Sequence, residues 1–95
     1  MSSNPVRVLV VDDEPAIRRL LHLTLEAHGY AVAEAESGHE ALAVAAAWKP
    51  DIIVLDLGLP DIDGVEVVRR VREWSRVSII VVSVRAAAAD KVGAL

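Results

Sequence analysis

The sequence predicts an α/β fold: a parallel sheet of short strands with helices packed on both of its faces. Three observations predict it. Short apolar runs rich in Val, Leu and Ile occur at Val6–Val11, Ile52–Leu55 and Val77–Val82, the pattern of strands buried on both faces. Segments with apolar residues at helical spacing lie between them. The connections are short, and a regular β-α alternation with short connections calls for parallel strands joined by crossover helices.

Each element has its own signals. Val6–Val11 is interrupted only by Arg7 and ends abruptly in acid at Asp12. Pro15 suits the first turn of a helix, where its missing N–H costs nothing. Ile17, Leu20, Leu21 and Leu25 continue that helix on one face, with Arg18, Arg19 and Glu26 expected to face away, and Gly29 supplies a left-handed stop. Tyr30–Ala35, with Glu34 beside its end, is a weaker strand that belongs at a sheet edge. Ser37 and Glu40 have capping-box spacing. Ala41, Leu42, Ala45 and Trp48 carry the second helix until Lys49-Pro50 breaks it. Ile52–Leu55 is a buried strand ending at Asp56, and a loop with Gly58, Pro60, Asp61 and Asp63 leads to Gly64. Val67, Val68, Val71 and Trp74 mark a third amphipathic helix, Val77–Val82 a fourth strand, and 86–95 is compatible with a helix.

Composition narrows the function. With 95 residues, 54% of them hydrophobic, the chain is at most one domain, and its core is filled by Val, Leu, Ile and Ala. A formal net charge of −4 argues against a non-specific nucleic-acid binder. The absence of Cys excludes disulfides, zinc-thiolate sites and thiol catalysis. The N-terminus lacks the plan of a signal peptide, and no apolar run approaches the roughly 18 residues of a membrane span. A cytoplasmic protein with no membrane association is expected.

Functional groups in such a sheet gather at the carboxyl ends of the strands. There the first strand offers Asp12 and Asp13, the third Asp56 and the fourth Ser83. If strands one and three are neighbours, three carboxylates converge and require a cation among them. Oxygen ligands without His or Cys suit Mg2+. Aspartate is also a covalent phosphate acceptor in phosphoryl-transfer chemistry, and a hydroxyl at Ser83 would bond a phosphate oxygen. Taken alone, Asp12-Asp13 is equally explained as a helix-capping pair; the register with Asp56 and the loop after it argues against that. Asp61 and Asp63 fit loop and cap roles better than metal ligation. His22, His28 and His39 lack a ligand partner at metal-site spacing, and Trp48 and Trp74 read as packing residues.

The segments Val10-Val11-Asp12-Asp13-Glu14 and Asp56-Leu57-Gly58-Leu59-Pro60-Asp61-Ile62-Asp63-Gly64, followed by a strand ending in Ser83, resemble the CheY-like receiver domain of two-component response regulators. The resemblance runs from about Val6 to Leu95. Stretches such as KPDIIVLDLGLPDIDG and DKVGAL resemble the KdpE-type regulators of potassium transport, within the OmpR/PhoB class. It implies a flavodoxin-like three-layer sandwich with strand order 2-1-3-4. It implies Asp56 as the phosphoacceptor, Asp13 as a direct ligand of Mg2+ or Mn2+, Asp12 as its partner and Gly58 as the donor of a backbone carbonyl to the metal. Ser83 would be the switch hydroxyl and Lys91 a dimer contact on the fourth helix. A sensor histidine kinase is the implied phosphodonor, and DNA would be met only through an output domain outside these residues, of the winged-helix kind. The domain ends as the modified product, so it is not expected to be an enzyme.

The resemblance also implies a fifth strand ending in Lys-Pro and a fifth helix, whereas the sequence stops at Leu95. The 95 residues are therefore expected to be a fragment, or a receiver with a compromised active state, in which Val77–Val82 forms a sheet edge and the chain self-associates. Other readings stay open: a stand-alone phospho-relay adaptor, or a metal-binding interaction domain without phosphotransfer. A haloacid-dehalogenase-type phosphatase is disfavoured, because it needs a second aspartate where this chain has Gly58.

Overall fold

The structure, a computed structural model, describes residues 4–82. The expectations for Ser83, for Lys91 and for a helix over 86–95 lie outside the described residues. Within them the order is β1 (Arg7–Val11), α1 (Pro15–Ala27), β2 (Ala31–Ala35), α2 (Gly38–Trp48), β3 (Ile52–Leu55), α3 (Gly64–Arg72) and β4 (Ser78–Val81). The strands form one parallel sheet, as the sequence pattern predicts, in the order β2-β1-β3-β4 that the family resemblance implies.

Side chains alternate across a strand, so each strand feeds two layers. Leu9 and Val11 of β1 and Ile53 and Leu55 of β3 point to one face, where they meet Ala41 and Ala45 of α2 and Val67 and Val71 of α3. The small alanines let α2 lie close to the sheet, and each buried Leu or Ile contributes about 1.5–3 kcal/mol relative to exposure. Val8 and Val10 point to the other face, against α1, and no residue from Val8 to Val11 is more than 2% exposed. The continuous apolar run in β1 follows from this burial on both sides.

The helix ends follow their sequence signals. Ser37 caps α2 by accepting from the Glu40 amide at 3.1 Å, while Glu40 accepts from the Glu36 amide, one residue before the partner a reciprocal capping box would use. Asp63 caps α3 through the Val65 amide, and Glu66 turns away to pair with Arg69 and Arg70. Gly29 has φ +92, the left-handed stop after α1. At the end of α2, Lys49 adopts φ 55, and Arg7 donates to the Trp48 carbonyl at 2.6 Å while its guanidinium lies over the indole.

Helix α1 keeps Ile17, Leu21 and Leu25 half-buried and Arg19 and Glu26 exposed, as expected, but departs at Leu20 and Arg18. None of its residues is buried, Leu20 is 63% exposed, and Arg18, expected to face away, turns inward. Glu34 of β2 lies beneath α1, and a half-buried carboxylate needs donors. Arg18 Nε donates to it at 2.8 Å and His22 Nδ1 bonds its other oxygen. Burial raises the Glu34 pKa, but these two partners outweigh it and hold the carboxyl below its ordinary value. Trp74 also departs from the packing role expected of it, being 51% exposed.

Candidate metal and phosphoacceptor site

The strand ladders extend one residue past the strands themselves, and this places the acids. The Asp12 amide donates to the Ala35 carbonyl at 3.1 Å, and the Asp56 amide to the Val11 carbonyl at 3.0 Å. Because β1 and β3 are neighbours, Asp12, Asp13 and Asp56 emerge side by side at the carboxyl rim of the sheet. One carboxylate oxygen of each lies within 4.8 Å of the others. Asp12 and Asp56 are only 6% and 5% exposed, and Asp13 is half-buried.

Local bonds orient the group. Asp12 Oδ1 accepts from the Glu14 amide at 2.8 Å, which starts the turn into α1. Asp56 Oδ1 accepts from the Gly58 amide at 3.2 Å, folding the chain back immediately after the acid. Arg18, already bonded to Glu34, places Nη1 2.8 Å from the Asp12 carbonyl oxygen, so α1 braces the first corner of the site. The expectation for Asp12, Asp13 and Asp56 as one cluster is met, and Gly58 lies on the loop that leaves it.

Three carboxylates this close repel one another, by several kcal/mol per pair at the effective dielectric of a protein surface. Burying two of them adds a desolvation cost. A donor set made only of oxygen, small and partly hydrated, suits a hard divalent ion that keeps several waters. The residues present fit Mg2+ or Mn2+.

Asp61 takes the loop and cap role expected of it, but the helix it caps is α2 and not the one its loop enters. Its Oδ1 accepts from the Gly38 amide and its Oδ2 from the His39 amide, both at 2.8 Å, so it caps α2 from a loop 23 residues away. Desolvation raises its pKa, but the His39 and Gly38 amides, helped by those of Ile62 and Asp61, outweigh it and lower the pKa to about 2. Sequence reading missed this pairing, as it missed the inward turn of Arg18, because both are contacts between elements distant in the chain.

Among the described residues no helix is long and apolar enough to cross a membrane. The family model for the response regulator receiver domain matches residues 8–95. The chain is 53% identical over 88 residues to the KDP operon transcriptional regulatory protein KdpE of Escherichia coli, covering 93% of this chain and 39% of that protein. It is 48% identical over 88 residues to the transcriptional regulatory protein KdpE of Mycobacterium tuberculosis, with the same coverages of 93% and 39%. The chain thus spans well under half the length of these curated relatives. Among solved structures, the chemotaxis response regulator CheY4 of Vibrio cholerae superposes with a TM-score of 0.79 at 37% identity, covering 82% of this chain and 68% of that one. The structure of histidine kinase ThkA in complex with response regulator protein TrrA matches with a TM-score of 0.77 at 40% identity, covering 83% and 69%. Fold, acidic cluster and sequence agree: the chain belongs to the receiver-domain family of response regulators, with KdpE-type regulators among its relatives.

Proposed function

We propose that this receiver accepts a phosphoryl group on Asp56 from the phosphohistidine of a sensor histidine kinase, with Mg2+ or Mn2+ held by Asp12, Asp13, Asp56 and the Gly58 carbonyl. The observation that carries this is the convergence of three carboxylates within 4.8 Å at the rim of a parallel sheet. One Asp56 carboxylate oxygen attacks phosphorus in line; the P–N bond breaks, its electron pair returns to the imidazole, and an acyl phosphate remains. The divalent ion, when bound, neutralises charge on the transferring group. The Gly58 amide orients Asp56 through Oδ1, and the ladder bond from its own amide fixes its backbone. Ser83 is the hydroxyl proposed to bond a phosphoryl oxygen, and Lys91 a contact in a homodimer. Asp56 ends as the modified group, so the domain is a phosphoacceptor and not an enzyme.

The identity to proteins named transcriptional regulators, of which this chain covers 39%, supports a further assignment. The domain is proposed as the N-terminal regulatory module of a DNA-binding regulator of the potassium-transport type. The named complex of ThkA with TrrA supports a kinase partner.

The test is incubation with acetyl phosphate, followed by intact-mass spectrometry. The parent should gain one phosphoryl group with Mg2+ and none with chelator, and Asp56→Asn should gain none. Undiminished labelling of Asp56→Asn would overturn the assignment. Metal binding without labelling would make this an interaction domain.

A further inference from the structure

We propose that Asp61 is a positioning residue for the metal and phosphoryl site: its carboxylate ties the loop that carries Gly58 to the first turn of α2. The proposal deepens the function proposed above and rests on it. Four observations carry it. The loop leaves Asp56 and is closed at its base, where the Gly64 amide donates to the Leu57 carbonyl at 3.3 Å. There Gly64 comes so close to Leu57 that an added Cβ would sit 2.7 Å from the Leu57 Cα. At its far side both Asp61 oxygens are engaged by the Gly38 and His39 amides, at 2.8 Å each. Ile62, the next residue, lies directly against Gly38. Gly58 is thus held between two anchors, one on its own loop and one on α2.

A purely local cap would not need this arrangement. Ser37 already caps α2 from the adjoining residue. A carboxylate with both oxygens bonded to a fixed pair of amides sets orientation as well as distance. Helix α2 is in turn packed on β1, β2 and α3, so the anchor is rigid. Outer contacts of this kind set how well ligands are presented to a metal.

The test compares three variants of the full chain by titration with Mg2+ and with Mn2+. Asp61→Ala should weaken the affinity for both by roughly tenfold, the low end for loss of a group that orients a ligand. Asp61→Asn keeps an acceptor oxygen for one amide but sets its NH2 against the other, and should fall between the parent and Asp61→Ala. Ser37→Ala removes the local cap of the same helix, and should lower the melting temperature without changing metal affinity. With acetyl phosphate, Asp61→Ala should need more Mg2+ for half-maximal labelling, yet approach the parent rate at saturation. Parent-like metal affinity in Asp61→Ala would show a cap and nothing more, overturning the proposal alone. Parent-like affinity in Asp61→Asn would show that the second carboxylate oxygen holds nothing in place, and would also overturn it. Failure of the parent to bind either ion would sink both the function and this inference.

Discussion

The packing of Ile62 against α2 yields a sign reversal that can be measured. Gly38 opens α2 with no positive φ, so nothing in its backbone forbids a side chain. Its neighbours forbid it. A Cβ built there would lie 2.9 Å from Ile62 Cδ1, closer still to Ile62 Cγ1, and 3.0 Å from Val67 Cγ2. Ordinary contact begins near 3.4 Å, so Ile62 has to retreat by more than half an ångström. Val67 Cγ2, at 3.0 Å, would need to give only a few tenths of an ångström. Overpacking of this kind costs about 1–3 kcal/mol. Replacing Gly by Ala in a helix returns up to about 1 kcal/mol, less in the first turn. Gly38→Ala should therefore lose about 1–2 kcal/mol of stability, the balance of those two effects. In an Ile62→Ala background the obstructing Cγ1 and Cδ1 are gone, and the same substitution should be neutral or stabilising. Urea denaturation of the four proteins, followed by circular dichroism, closes the cycle, and the coupling should exceed about 1 kcal/mol. If Gly38→Ala costs the same in both backgrounds, to within about 0.5 kcal/mol, the proposed contact does not limit this site.

Gly64 should behave oppositely: its nearest obstacle is the Leu57 Cα, which no side-chain truncation removes, so Gly64→Ala should stay destabilising in a Leu57→Ala background by urea denaturation. Lys49→Gly should stabilise by up to about 1 kcal/mol, because Lys49 holds a left-handed φ of 55 that glycine adopts without strain; thermal melts read this directly. Asp61 has its pKa lowered from 3.8 to about 2, so its stabilising contribution is complete above pH 3.8 and lost as pH falls through about 2. The stability difference between the parent and Asp61→Asn, measured by denaturation at pH 5 and pH 2, should shrink with acid. Mg2+ at about 100 times its dissociation constant should add about 2.7 kcal/mol to the parent. Asp13→Ala should melt higher than the parent without metal and lose the Mg2+ response, as scanning calorimetry will show.

What was legible in the sequence was whatever local chemistry determines. Val6–Val11 and Ile52–Leu55 announce buried strands because burial on both faces leaves no polar alternation. Pro15, Gly29 and Ser37 mark helix ends because each satisfies or tolerates a terminus within a few residues. The acidic cluster was legible because Asp12, Asp13 and Asp56 each follow a strand, and strand order alone brings them together. Arg18 and Leu20 show where such reading stops. Helical spacing places Leu20 on the apolar stripe, yet Glu34 on the sheet beneath requires donors and turns Arg18 and His22 inward instead. Asp61 has the composition of any loop acid, and only the folded chain brings the α2 amides to it.

The ladder bonds that continue past β1 and β3 have a consequence for which insertions and deletions the domain tolerates. The Asp12 and Asp56 amides are bonded to neighbouring strands, so the site is spaced by strand register and not by chain length between the acids. A residue gained at the turn after α1, beside a Gly29 whose added Cβ would meet nothing within 4 Å, leaves that register untouched. A residue gained between Val8 and Val11 would rotate every following side chain to the opposite face, exchanging the two buried layers of β1 and moving Asp12 off its bond with Ala35. Added residues should therefore be tolerated in the turns of this domain and not in its central strands.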